Sequence, residues 1–362
     1  MADLQDLPYV APTTCGEPDD TVRGADPAEA PTPSETDLGR ARVLLAAQLV
    51  VDGHNTLAQE LDRTHHHALQ HGEAALDTDI PRIRAGGVGA QFWSLHVAPR
   101  HGADQLIGGT LDLIDGVRTL IESCPEALRL ALTAAEMAAA RDCGRIASLL
   151  GPVSGAALGD SLGTLRAYHA LGVRSAGVAG TSWTAGPDGL TPFGQDVIRE
   201  MNHLGVLVDL SGASADTMRR VLDVTKAPVI LSHSAAAALT PHPVNVTDDV
   251  LRRLRANGGV CMVTFAPDQV ARLTGLPAAL QDVADHLDHV RRVAGPECVG
   301  VAGSFGTAAH APHTVGLEDA SCYPNLIAEL LHRDWPETDI AALTWGNAAR
   351  VVREAEAVAR GA

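Results

Sequence analysis

The chain has 362 residues, 46% of them hydrophobic and 20% charged, which supplies a sizeable core for one large domain or two ordinary ones. Its net charge of −17 argues against nucleic acid and anionic membrane surfaces as partners. The six cysteines make no C-x-x-C pair or disulfide framework, the first residues lack a leader pattern, and no apolar run reaches the length of a membrane span. A reduced, cytoplasmic protein is therefore expected.

Residues 1–38 are rich in Pro, Asp, Glu, Thr and Ser, lack periodicity, and read as a disordered or surface-draped extension. Residues 39–362 read as a single domain. "THHHALQH" follows early, with His65, His66, His67 and His71; a polar loop is expected, although His67 and His71 have the i, i+4 spacing of a helical metal chelate. Short apolar runs lie at 49–52, 89–97, 128–132, 146–150, 175–179, 206–210, 229–232, 259–265 and 298–302. Amphipathic stretches separate most of them, at 105–123, 134–143, 161–171, 193–204, 213–224, 248–257 and 276–293. Continuous apolar strands alternating with helices predict a parallel sheet covered on both faces. Eight or nine such units predict an α/β fold of the (β/α)8 TIM-barrel type, with residues 323–360 as extra C-terminal helices. No G-x-G-x-x-G or P-loop pattern is present, so no nucleotide cofactor is expected. The one lysine, Lys226, sits in a polar loop and reads as a surface residue.

In such a barrel the chemistry lies at the C-terminal ends of the strands. Those ends carry His54 in "VDGHNT", Trp93 and His96 in "QFWSLHV", Val153 in "GPVSG", Gly180 in "VAGTSW", Gly212 in "DLSGAS", His233 in "LSHSAA" and Ser304 in "AGSFGT". His54 and His233 stand out as acid/base candidates, since imidazole titrates near neutrality; the plainer reading is that neighbours hold them by hydrogen bonds. Asp52 and Asp209 are either orienting partners for these histidines or structural carboxylates bonded to loop amides. Trp93 and His96 are candidates for ligand contact at the mouth, and ordinary packing at the rim is the alternative. Cys261 reads as a small buried apolar residue.

The segments "VDGHN", "DTDIPRIRAGGVGAQFWSLHV", "SLGTLRAYHALGVR", "GLTPFGQDVIREMNHLGVLVDLS", "PVILSHS", "HPVNVTDDVLRRLRANGGVCMV" and "GLEDASCYPNLIAELL" together resemble the renal (membrane) dipeptidase family over nearly the whole chain after about residue 40. The resemblance implies an amidohydrolase-type barrel, a homodimer and a binuclear zinc site that hydrolyses dipeptides. It also implies where the zinc ligands should stand, and this chain departs there. The Asp of the family's first His-x-Asp pair is Thr56, its bridging Glu is Val153, and the His ending its "VDLSH" strand is Gly212. The two Asp of "S-D-F-D-G" are Ser304 and Gly306, and a substrate-facing His aligns with Gly180. Two arginines that grip substrate become Ala237 and Val244. Of six implied metal ligands, His54 and His233 remain, and in the family these serve different ions. One imidazole per ion does not hold zinc against water.

The expectation is a dipeptidase-type barrel without a metal or cofactor. It binds a small molecule at Thr56, Trp93, His96, Val153, Gly180, Gly212 and Ser304, with His54 and His233 moving protons in a cyclisation, elimination or isomerisation. A catalytically silent relative that acts by binding or by pairing with an active homologue, and an ordinary metallodipeptidase, are the alternatives.

Overall fold

A computed structural model describes residues 34–97, 103–185, 189–271, 276–307 and 311–361. Nine strands lie in one parallel sheet: β1 (Val50–Asn55), β2 (Val88–Leu95), β3 (Leu128–Leu130), β4 (Ile146–Val153), β5 (Ser175–Gly177), β6 (Leu207–Asp209), β7 (Ile230–Ser234), β8 (Val260–Thr264) and β9 (Val299–Ala302). β2 pairs with β4 as well as β1, and β9 pairs with β1, so eight strands close in the order β1-β2-β4-β5-β6-β7-β8-β9. β3 is the ninth. It pairs with Ile146–Ser148 at the start of β4, while β5 meets β4 at Val153, so β3 fills the gap below β5 and stands outside the closed ring.

The connections follow a repeated local rule. Thr133, Ser161, Thr191 and Ser214 each precede a helix and accept its third backbone N–H through their side-chain oxygen. The helices Pro192–Leu204 and Asp248–Asn257 end on Gly205 and Gly258, whose φ values of 71° and 74° suit glycine. The C-terminal stretch forms helices Tyr323–His332, Glu337–Ala341 and Asn347–Arg360, with a π turn between the last two. Val51, Phe92, Leu149 and Met262 of the strands share a buried cluster with Val351 and Val352 of the last helix.

Two boundaries differ from expectation. A helix begins at Glu35, inside the segment read as an extension, because Ser34 caps it by accepting from the Asp37 N–H; it packs on Tyr323–His332. The rest of that segment, 1–33, lies outside the described residues. The histidine run, expected as a loop, contains the short helix His66–His71. There the His67 and His71 rings stack at 4.1 Å and His71 Nδ1 is hydrogen-bonded to the His67 carbonyl.

Gly53 of β1 is closely approached by two other strands. A Cβ there would meet Met262 Sδ and the Ser232 carbonyl oxygen, each at 2.5 Å, and neither a strand carbonyl nor a packed thioether moves freely. Gly53→Ala should therefore lower the urea midpoint by the equivalent of ~1–3 kcal/mol. Gly39→Ala, in a helix with nothing within 4 Å of the new methyl, should hold or raise it. Equal midpoints for the two variants would show that the barrel floor yields at Gly53.

Candidate active site

β1 delivers His54, and a buried carboxylate anchors the strand end. Asp52 Oδ1 accepts the His54 N–H at 3.1 Å and the Gly303 N–H at 2.9 Å, which ties β1 to the segment leaving β9. Burial pushes the Asp52 carboxyl up to about 6, against the pull of these two amides and of the nearby Tyr323 and Gln91 side chains. The His54 carbonyl accepts the Ser304 N–H at 3.0 Å. One residue past β1, the Thr56 N–H and hydroxyl both donate to the Phe305 carbonyl, at 2.6 and 3.2 Å.

β6 and β7 deliver the second histidine in the same way. Asp209 Oδ1 accepts the Ser211 N–H at 2.9 Å, the Ser211 hydroxyl at 2.7 Å and the Ser232 N–H at 3.1 Å. Asp209 Oδ2 takes the Ser232 hydroxyl, and that same hydroxyl lies 2.9 Å from His233 Nδ1. The His233 N–H donates to Ser211 Oγ at 3.1 Å. Asp209 is thus both things considered for it: a structural carboxylate bonded to loop amides and a partner, through Ser232, of His233.

The two imidazoles meet face to face, with centroids 3.9 Å apart and planes inclined by 24°. They lie in a cavity of about 290 Å³ at the C-terminal ends of the strands. Burial holds His54 well below its ordinary pKa, reinforced by His233 and His96. Burial also lowers His233, opposed by the Asp209 charge, and desolvation at the rim lowers His96. Neutral rings can stack in this way, whereas two imidazolium ions would repel at such a distance.

Of the residues expected at the site, His54, His233, Thr56, His96, Val153 and Gly212 line this cavity. Three do not. Trp93 is 1% exposed and belongs to the hydrophobic core, because its large apolar ring is buried among neighbouring side chains. Gly180 borders an adjacent cleft with Asp160 and Ser182. Ser304 has a left-handed φ of 55° and shares its hydroxyl with Thr264 Oγ1 at 2.9 Å, away from the cavity wall. Gln59, Ser94, Ser154 and Ser211 line the cavity and were missed. Ser211 carried a signal, since "DLSGAS" places it two residues after the buried Asp209. Gln59 carried none, because it lies on a short 3-10 turn after β1 that no periodicity announces.

The residues present do not fit a binuclear zinc centre. Such a centre needs several imidazoles and carboxylates converging on each ion. Among the described residues, no group of three His, Cys, Asp or Glu could hold a metal ion. The Thr56 hydroxyl, where the resemblance implies an Asp, is engaged with a carbonyl. Gly306, where it implies another, has a φ of 118°, and a Cβ there would meet the Leu57 N at 2.3 Å and Thr56 Oγ1 at 2.6 Å.

Comparison with known proteins places the whole domain. Residues 38–362 match the membrane dipeptidase (peptidase family M19) profile. Human dipeptidase 3 is 39% identical over 350 residues, covering 90% of this chain and 69% of that protein. The dipeptidase AclJ of Aspergillus oryzae is 37% identical over 335 residues, covering 86% and 79%. Among solved structures, the probable dipeptidase PvdM from Pseudomonas aeruginosa superposes with a TM-score of 0.78 at 20% identity, covering 89% of this chain and 99% of that one. Dipeptidase AC, a metallo peptidase, gives 0.77 at 25% identity over 85% and 98%. The chain belongs to the membrane dipeptidase family.

Proposed function

We propose that this family member uses its barrel mouth to bind a small molecule without a binuclear metal centre. There it carries out proton-transfer chemistry of the cyclisation, elimination or isomerisation kind, with His54 and His233 moving the proton. The observation that carries this reading is the stack of the two neutral histidines, 3.9 Å apart, in a cavity whose one lining carboxylate, Asp209, is taken up by backbone amides and serine hydroxyls. A neutral imidazole accepts a proton at neutral pH, as a general base must. The cavity volume of about 290 Å³ suits a small ligand. Within the same proposal the protein acts in the cytoplasm, and its homodimeric state follows from the family resemblance.

The relatives' names favour a second reading, metal-dependent dipeptide hydrolysis. Metal analysis of protein purified without chelator separates the two. The expected result is zinc far below one ion per chain, with no rise in melting temperature on adding zinc. About two ions per chain, with dipeptide hydrolysis abolished by chelator, would establish the second reading in place of the first.

His54→Ala and His233→Ala should each cut turnover of the native substrate by ~10²–10⁴-fold, the range of general acid–base catalysis, while circular dichroism stays unchanged. Folded chains with parental turnover would remove both residues from the chemistry.

The same rings leave a mark on stability. Below the ordinary value of 6.5 the unfolded His54 takes up a proton that the buried ring refuses, so its presence costs stability as pH falls. His54→Ala should therefore lose less stability than the parent between neutral and mildly acidic pH. Parallel pH–stability curves would mean that the His54 ring is protonated as readily in the fold as outside it.

A further inference from the structure

We propose that Asp209 and Ser232 are positioning residues that lock His233 as its Nδ1–H tautomer. They thereby offer the Nε2 lone pair to the cavity, where it meets an N–H or O–H group of the bound molecule. This rests on the reading of the cavity as the working site and adds what it demands of the ligand: a hydrogen-bond donor or acidic proton opposite His233.

The assignment follows from counting protons. The Asp209 carboxylate only accepts, and its two oxygens are met by two backbone N–H groups and two serine hydroxyls. Each serine has a single O–H, and each spends it on Asp209. Their mutual contact, Ser211 Oγ to Ser232 Oγ at 3.3 Å, is correspondingly long. Ser232 Oγ then has only lone pairs left to face His233 Nδ1 at 2.9 Å, so Nδ1 must carry the hydrogen. The opposite tautomer would set two lone pairs against each other, or pull the Ser232 hydroxyl off a buried carboxylate.

The same carboxylate also fixes the backbone of this residue, because the His233 N–H donates to Ser211, which itself donates to Asp209. The face of the ring is set by the stack on His54. Backbone, ring edge and ring face are therefore all constrained before any ligand arrives. When a ligand X–H group reacts there, the proton moves to Nε2 and the electron pair of the X–H bond stays on X. The ring becomes an imidazolium whose Nδ1–H still points to Ser232, and the Asp209 charge behind it offsets the new positive charge.

The tautomer is directly readable by two-bond 1H–15N correlation on the full chain with 15N-labelled histidine. The spectrum is taken in mildly alkaline buffer after dialysis against chelator, with His233 assigned by the signal that His233→Gln removes. The expected parental pattern is Nδ1–H. In Asp209→Asn the side-chain amide can donate to Ser232, which frees that hydroxyl to donate to Nδ1. In Ser232→Ala the acceptor is gone. Both variants should shift His233 to mainly Nε2–H. An Nε2–H ring in the parent, or an Nδ1–H ring that survives in Asp209→Asn, overturns the positioning role. The parental spectrum decides even where a variant fails to fold. Stoichiometric zinc before dialysis would instead overturn the metal-free function and leave the tautomer assignment standing.

Discussion

Three buried carboxylates hold the mouth of this barrel, and each does so by accepting backbone N–H groups from segments far apart in the chain. Asp52 joins the end of β1 to Gly303 after β9, and Asp209 joins the end of β6 to Ser232 on β7. Asp77 accepts the N–H groups of Gly306 and Thr307, the Thr307 hydroxyl and His313 Nε2 at 3.0 Å. Taking a carboxylate out of water costs several kcal/mol unless donors replace the lost hydration. Here the donors are the amides of strand ends that have run out of ladder partners. One arrangement thus satisfies two needs, because the amides would otherwise be orphaned just where the regular sheet stops.

This explains why the two histidines can lie so close. His54 follows Asp52 by two residues and His233 lies on the strand beside Asp209, and each backbone is held by the hydrogen-bond set that the carboxylate organises. The carboxylates are not equivalent. Asp52 has an oxygen without a hydrogen-bond partner, and burial raises its pKa to about 6. Asp209 has hydroxyl donors on both oxygens. Of these two, Asp209 is connected through Ser232 to a nitrogen of the stacked pair, whereas His54 Nδ1 has no partner among the described residues. The stacked pair is therefore asymmetric, with one ring oriented by a charged network and the other packed against it.

The barrel was legible because its signal is repetitive. Nine apolar runs and the helical stretches between them appear in the structure with boundaries moved by a few residues, as at β4, which extends to Val153. The place of β3 outside the ring was not legible, since strand order depends on pairing and Leu128–Leu130 looks like any short strand. At the site, His54 and His233 stood out because an imidazole at the end of an apolar strand is unusual. For Trp93 the structure favours packing over ligand contact, and its position on the strand alone does not choose between them. The Asp209–Ser232–His233 connection was hidden because 23 residues separate Asp209 from Ser232, and strand pairing brings β6 beside β7.

The segment joining β1 to the loop after β9 holds two positions, Thr56 and Gly306, where the family resemblance implies aspartates. At Thr56 the side chain donates to the Phe305 carbonyl. A carboxylate in that rotamer would face the carbonyl oxygen with a like partial charge. At Gly306 the left-handed backbone and the close approach of Thr56 and Leu57 exclude any Cβ, and the Asp77 carboxylate takes up the Gly306 N–H. The two departures are therefore coupled, since the Thr56 hydroxyl occupies space that a side chain at 306 would need. An aspartate at 306 would have to move the backbone of Thr56 and Leu57, which lies within 2.5 Å of its Cβ. A side chain can be added at one position only where the neighbouring backbone leaves it a place, and at Gly306 the approach of Thr56 and Leu57 leaves none.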